Sequence, residues 1–435
     1  MATARTTALS ALIAARRQGA WSDGVLKEYI ARDRLDRRDA ALASQLCYGV
    51  LQNRMLLDFD LSQVLSGKLK NLQPIVQDVL RLGAYQILFM DRIPDSAAVN
   101  EAVQQCKHYV NQRASGLVNG VLRALSRGKD TLKQPDSLCV RYSHPQELVE
   151  LLRQSVGDAE LAPLLAANNA PTPLTLQINP LRAPQDITEL LARQGVSLSP
   201  HPWMQSCYFA ENVGNLDHLE AFRNGSVYVQ DPAARLAAEV SGVQPGMRVL
   251  DVCAAPGGKS FAAAMQMQNR GEIISCDVYP HKTELIEKGA QRLGIDMIRT
   301  MVRDASDFDP AFSEKMDAVI ADVPCSGLGV IRKKPDIRYK DLSQTERLPQ
   351  LQRAILENVS SYVKPGGVLV YSTCTVLKRE NDEIVQAFLK DHPEFSAERA
   401  ELPQGLCVKD DTMITLLPHL HVCDGFFICK MRKTR

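Results

Sequence analysis

At 435 residues the chain is too long for one ordinary domain, and a composition of 45% hydrophobic and 23% charged residues is that of a globular protein. No apolar run is long enough to cross a bilayer, which excludes a helical membrane protein. The formal net charge of +1 does not advertise a nucleic-acid binder, yet residues 1–130 hold 18 Lys+Arg against 12 Asp+Glu, an excess compatible with a phosphate-rich partner.

The first residues, MATARTTALSALIAARRQGAW, lack acids and carry Arg, Ser and Thr, so a transit peptide is one reading. Leu9, Leu12, Ile13 and Arg16 also fit one amphipathic helix, and with no cleavage site marked the helix is favoured. Four further segments carry apolar residues at helical spacing: SDGVLKEYIARD, RDAALASQLCYGVLQNRMLLDFDL, LQPIVQDVLRLGAYQILFM and SAAVNEAVQQCKHYV. Residues 1–130 therefore read as an all-helical domain, followed by a polar linker, SRGKDTLKQPDS. Residues 131–240 contain the remainder of this linker and a small α+β domain, with strands in PLTLQINPL and GVSLSPHPWMQSCYFAE flanking a helix PQDITELLARQ.

From 241 to 435 short apolar runs alternate with helical stretches. MRVLDVCA, GEIISCDV, IRTMVRDA, MDAVIADV and GGVLVYST each end in small or acidic residues. Buried strands alternating with helices imply a parallel, doubly wound α/β sheet of Rossmann-like type, whose ligand lies beyond the carboxyl ends of the strands.

The first of these strands leads into Cys253, Ala254, Ala255, Pro256, Gly257, Gly258 and Lys259. Small residues let the backbone approach a ligand, and the next helix offers free N–H groups. This is neither G-x-G-x-x-G nor a Walker loop, because Cys253 stands where the latter needs glycine. Asp277 ends the second strand, where it can accept from ribose hydroxyls, and Asp304 ends the third, where it can meet an adenine amino group. Taken singly, each acid reads as a strand-end or cap residue. Recurring at successive strand ends, they favour a nucleoside cofactor. With no phosphate-binding pattern beyond Lys259, S-adenosylmethionine is expected rather than a dinucleotide.

The eleven cysteines are an odd number and contain no C-x-x-C pair, so neither a disulfide framework nor a zinc site is expected, and no metal. Free thiols imply a reducing compartment, the cytosol. Buried core is the default for a free cysteine, and nine are assigned there, including Cys253 lining the cofactor loop. Cys325 in IADVPCSG and Cys374 in YSTCT escape that default because both follow strand ends at the ligand edge.

Four stretches, VLDVCAAPGGKS, DVPCSGLGVIRKKPDIRY, LVYSTCTV followed by END, and the terminal DGFFICKMRK, resemble the RNA cytosine-C5 methyltransferases with two active-site cysteines. RDAALASQLCYGVLQNR, IPDSAAVNEAVQQCKHY and SGLVNGVLRAL resemble the helical RNA-binding domain of the antitermination factor NusB. Together they give the arrangement of the Sun/Fmu-type subgroup, which acts on bacterial small-subunit ribosomal RNA. Tyr339 stands where many relatives have Trp, and Val252 and Thr375 are conservative variants.

The resemblance implies that Cys374 is the nucleophile, that Asp322 hydrogen-bonds the base edge as well as bordering the cofactor, and that Cys325 assists breakdown of a covalent adduct. Lys259 and the adjoining helix N-terminus are candidate sources of positive potential for the attacking thiol. Arg332, Lys333, Lys334 and Arg338 are expected to grip the RNA backbone, with Arg37 and Arg38 doing so from the helical domain; as a charge run alone they would be a solvated face. Tyr339 stacks on a base or packs against its own loop. The rival readings are a cytosine-C5 methyltransferase of transfer RNA, large-subunit RNA or DNA, and a non-catalytic assembly factor; no partner chain is indicated.

Overall fold

The computed structural model describes residues 2–18 and 22–434. They divide into two compact units, residues 1–170 with 333–340 and residues 171–332 with 341–435.

The first unit is helical. Its helices are α1 (Ala4–Gln18), α2 (Ser22–Arg32), α3 (Arg37–Gln52), α4 (Arg54–Val64), α5 (Pro74–Phe89), α6 (Asp95–Tyr109), α7 (Gln112–Gly128), α8 (Leu138–Arg141), α9 (Gln146–Val156) and α10 (Asp158–Ala167). The amphipathic pattern at the start of the chain is realised as α1, which buries Leu9 and Leu12 and turns Arg16 toward Asp78 at 3.2 Å. The long run read as one helical segment is two helices. They part at Asn53, whose backbone N–H and side-chain amide both donate to the Gly49 carbonyl (3.1 and 2.9 Å). Arg81, almost fully buried on α5, is matched by a bidentate pair to Asp58 (2.7 and 2.9 Å) and by Asp78 at 3.2 Å. A buried guanidinium needs that much satisfaction to be tolerated.

The helical unit runs further than the sequence pattern indicates. SRGKDTLKQPDS holds the end of α7, and beyond it α8, α9 and α10 continue the same unit. Leu148 and Leu152 on α9 and Leu161 and Leu165 on α10 are buried. These helices are short and punctuated by Pro145 and Pro163, so their periodicity is diluted, which is why this stretch reads as the start of the α+β region.

The second unit contains two sheets. The smaller has strand order β2-β3-β1-β4, with β1 (Leu174–Ile178), β2 (Ser197–Pro200), β3 (Cys207–Glu211) and β4 (Val227–Val229), and carries α11 (Ile187–Arg193) and α12 (Glu220–Arg223). GVSLSPHPWMQSCYFAE forms two strands, β2 and β3, paired antiparallel.

The larger sheet has the order β10-β12-β9-β8-β5-β6-β7, with β11 paired to β12. Its strands are β5 (Arg248–Asp251), β6 (Glu272–Asp277), β7 (Ile298–Val302), β8 (Met316–Asp322), β9 (Val363–Thr373), β10 (Phe395–Ala397), β11 (Met413–Leu416) and β12 (Phe426–Lys433). Helices α13 (Pro232–Glu239), α14 (Gly258–Gln266), α15 (Pro280–Leu293), α16 (Leu348–Ser360), α17 (Asp382–Asp391) and α18 (Pro418–His421) accompany it. The five strands expected from alternating apolar runs, β5 to β9, are all present and parallel. The sheet is mixed rather than wholly parallel, because β12 pairs antiparallel with β9, β10 and β11. One apolar core lies on each face, with Phe261, Ile286 and Ile320 in one and Leu356, Tyr371 and Phe427 in the other.

Candidate active site

Register decides which residues meet. Asp322 on β8 stands opposite Ser372 on β9, and the ladder continues past the strand end as Val323 N–H donates to Ser372 O at 3.1 Å. Cys325 and Cys374 follow these ends by a few residues and therefore reach one edge of the sheet. Their sulfurs are 3.3 Å apart. On the other flank β5 pairs with β8, and β6 with β5 and β7, which brings the Cys253–Lys259 loop, Asp277 and Asp304 to that same edge.

The Cys253–Lys259 loop is built around close contacts. Gly257 opens α14 at φ 108°, in the left-handed region, and a Cβ there would lie 2.3 Å from the Phe261 ring. A Cβ on Gly258 would meet Gln230 Nε2 at 3.0 Å. The loop is anchored from below by Asp251, fully buried at the end of β5. Ser260 Oγ donates to its Oδ2 at 2.7 Å, and with that proton committed Ser275 Oγ must donate to Ser260 across 2.7 Å. Burial pushes the Asp251 carboxyl up to about 7. Neither Asp251 nor Ser260 was singled out from sequence, because an acid in an apolar strand and a serine after a lysine carry no distinctive pattern.

Asp277 is buried, accepts from Tyr279 N–H at 3.2 Å and lies 3.5 Å from Lys282. Asp304 accepts from the hydroxyl and the N–H of Ser306 (2.6 and 2.9 Å), which hold its carboxyl below the usual range. The groups at this edge include the Asp277 and Asp304 carboxylates, which accept hydrogen bonds. They fit a cationic nucleoside that offers hydroxyls, an amino group and positive charge, and S-adenosylmethionine has that chemistry.

Asp322 joins the Cys253–Lys259 loop to the strand that leads to Cys325. Lys259 Nζ is 2.5 Å from Oδ2, and Ser372 Oγ donates to Oδ1 at 2.9 Å. Burial opposes charge on Lys259, but the Asp322 carboxylate outweighs it and holds the ammonium above its ordinary range, with a further electrostatic contribution from Cys374. Lys259 thus carries its charge beside Asp322 and within electrostatic reach of Cys374.

The two cysteine loops are fastened to each other. Gly329 N–H donates to Cys374 O at 3.0 Å, and Ser326 Oγ donates to Thr375 Oγ1 at 2.8 Å. A Cβ on Gly329 would be 1.9 Å from the Gly425 carbonyl oxygen, so only glycine fits where β12 begins. The hydrogen bond to Cys374, then burial, keeps the Cys325 thiol well above its ordinary range.

The expected RNA-gripping run divides. Lys333 and Lys334 are exposed, as are Arg37 and Arg38 at the start of α3, while Arg332 is buried. Arg338 and Tyr339 correct the expectation, for both serve the interior of the helical unit. Arg338, 1% exposed, donates to Gln52 O (2.9 Å), Asn169 Oδ1 (2.8 Å) and Asn168 O (3.3 Å). Tyr339 OH donates to Leu51 O at 3.0 Å, and the Arg54 guanidinium lies over its ring. The run reads as uniformly basic in sequence, but 333–340 folds back into the helical unit, whose helix-terminal carbonyls take up the guanidinium.

Comparison with known proteins agrees with this geometry. Residues 240–432 match the family described as 16S rRNA methyltransferase RsmB/F, residues 2–127 the NusB family, and residues 144–213 the ferredoxin-like domain of RsmF/B-like methyltransferases. The chain is 36% identical to the probable ribosomal RNA small subunit methyltransferase B of Bacillus subtilis, over 99% of this chain and 98% of that protein. It is 34% identical to the protein of the same name from Synechocystis, over 100% of both. The crystal structure of PH0851 shares the fold, with a TM-score of 0.81 at 24% identity over 98% of each chain. A helical NusB-like domain, a small ferredoxin-like region and a methyltransferase sheet with paired cysteines place this chain in the RsmB/F family of ribosomal RNA small-subunit methyltransferases.

Proposed function

We propose that the protein transfers a methyl group from S-adenosylmethionine to C5 of one cytosine in 16S ribosomal RNA, through a covalent bond between Cys374 and C6 of the base. The observation that carries this reading is the 3.3 Å approach of Cys325 and Cys374 beside the Lys259–Asp322 pair.

Cytosine C5 is too electron-poor to attack a methyl carbon unaided. Addition of the Cys374 thiolate to C6 moves electron density to C5 and makes it nucleophilic. When bound, S-adenosylmethionine supplies the electrophilic methyl. Asp322 accepts from the exocyclic amine and steadies the base while charge develops at N3. After transfer, the C5 proton leaves to solvent and the electron pair of the S–C6 bond returns to Cys374. Cys325 donates a hydrogen bond to the departing thiolate and so assists release. Reaching C6 requires a cytosine that is single-stranded or flipped out of its stack.

The cofactor would be held by Cys253–Lys259, Asp277, Asp304 and Asp322. RNA would be bound by residues 1–130 and by the exposed Lys333, Lys334, Arg37 and Arg38. Among the described residues no helix is long and apolar enough to cross a membrane, and the eleven cysteines are free, which suits work in the reducing cytosol.

A DNA-type enzyme would attack with Cys325, the thiol that its hydrogen bond to Cys374 and burial hold above the ordinary range, and would leave Cys374 without a task. The test is incubation with labelled S-adenosylmethionine and, separately, small-subunit RNA, large-subunit RNA, transfer RNA and DNA. Label recovered as 5-methylcytidine from small-subunit RNA supports the reading; label elsewhere, or none, overturns it.

A further inference from the structure

Glu380 is a fully buried acid in the second unit, six residues after Cys374. A buried carboxylate is costly, so its partners indicate what it is for. Its Oε2 accepts from Ser326 N–H, the residue next to Cys325, at 2.9 Å, and from Gln352 Nε2 at 2.9 Å. The same Gln352 amide donates to Pro324 O at 2.9 Å, so both sides of Cys325 are tied to one point. The backbone carbonyl of Glu380 accepts from Tyr371 OH at 2.6 Å. The neighbouring Asn381 brackets the Cys374 turn, accepting from Thr373 Oγ1 at 2.6 Å and donating to Thr375 O at 3.0 Å. Glu380 Oε1 is buried with no hydrogen-bond partner in the structure, so its charge is only partly compensated locally.

We infer that Glu380 is a positioning residue for the two sulfurs: it fixes the Cys325 loop against the Cys374 turn, and its charge makes Cys325 the proton donor of the pair. A negative charge close to one thiol disfavours a second negative charge there. In agreement, Glu380 is among the charges that hold the Cys325 thiol up, after the Cys374 hydrogen bond, burial and Cys374 itself. The negative charge needed for attack then develops on Cys374. The inference rests on the assignment of Cys374 as nucleophile proposed above and extends it to the group that enforces the choice.

The test is alkylation of the full-length protein with iodoacetamide across a pH series, followed by mass-spectrometric mapping of Cys325 and Cys374. The unmodified protein is expected to label at Cys374 faster than at Cys325 throughout. The variant Glu380→Gln keeps an acceptor for Ser326 N–H but loses the charge. Its Cys325 labelling is expected to rise about tenfold at fixed pH, the equivalent of one unit of thiol acidity. Its kcat is expected to fall with KM for RNA unchanged. Gln352→Met keeps the charge and cuts the tether, so it should lower kcat and leave the pH profile of Cys325 labelling in place. Faster labelling of Cys325 than Cys374 in the unmodified protein overturns the inference, even if Glu380→Gln does not fold. So does an unchanged Cys325 profile in folded Glu380→Gln. Alkylation needs neither RNA nor methyl donor, so it can fail while methyl transfer succeeds, and the reverse.

Discussion

Lys259 and Asp322, 63 positions apart in the chain, form a 2.5 Å ion pair that ties the Cys253–Lys259 loop to the strand bearing the cysteine loop. Parallel pairing of β5 with β8 makes that approach possible, and burial of Lys259 makes it matter. The pair makes the Cys253–Lys259 loop and the end of β8 two dependent halves that share one charge balance.

Breaking the pair from one side should therefore cost more than removing both charges. Lys259→Met leaves a half-buried carboxylate and should lower stability by about 3 kcal/mol, at the lower end of the range for buried pairs because Asp322 retains some solvent contact. The double variant Lys259→Met with Asp322→Leu should recover part of that loss while remaining inactive. Chemical denaturation of both proteins and the single Asp322→Leu variant measures the coupling.

Arg338 was legible as a basic residue but not as a buried one. Arg338→Ala should destabilise the helical unit by roughly 3 kcal/mol or more, because several backbone carbonyls lose their donor in the interior. Lys334→Ala should leave stability unchanged and weaken RNA binding with a shallower salt dependence. Thermal melts together with RNA binding at several salt concentrations separate the two residues. An Arg338→Ala protein of full stability and reduced RNA affinity would restore the sequence-based expectation.

Asp251 predicts a pH dependence of stability. Its folded carboxyl titrates at about 7, above its value in an unfolded chain, so the folded state binds the extra proton between roughly pH 4 and 7. Stability from this group is present below that window and is lost as pH rises through it. Asp251→Asn cannot ionise and should escape the loss. The stability difference between variant and unmodified protein should shift in the variant's favour by a few kcal/mol between pH 4 and 8. Denaturant titrations at the two pH values check this, and an unchanged difference refutes it.

The strands, the glycine-bearing loop into α14 and the place of both cysteines at one sheet edge could be read from sequence because each depends on local pattern: apolar runs of strand length, glycines before a helix, thiols just past strand ends. What escaped depends on contacts between distant positions. Glu380 lay within a recognised motif, yet its hold on Ser326 arises from packing of the β9 turn against the β8 loop. Arg338 looked like a surface charge because its carbonyl partners lie between residues 52 and 169. β12 was legible only as a terminal motif, and its antiparallel place beside β9 follows from sheet closure that no single run encodes.

The most direct test of the division of labour between the sulfurs is denaturing gel electrophoresis of the protein incubated with S-adenosylmethionine and small-subunit RNA. Cys374→Ala should transfer no methyl group and form no RNA–protein band. Cys325→Ala should accumulate an adduct that survives denaturation, because in the proposed mechanism the sulfur that assists elimination is gone while the one that attacks is intact. An adduct from Cys374→Ala, with none from Cys325→Ala, would contradict the account and make Cys325 the nucleophile.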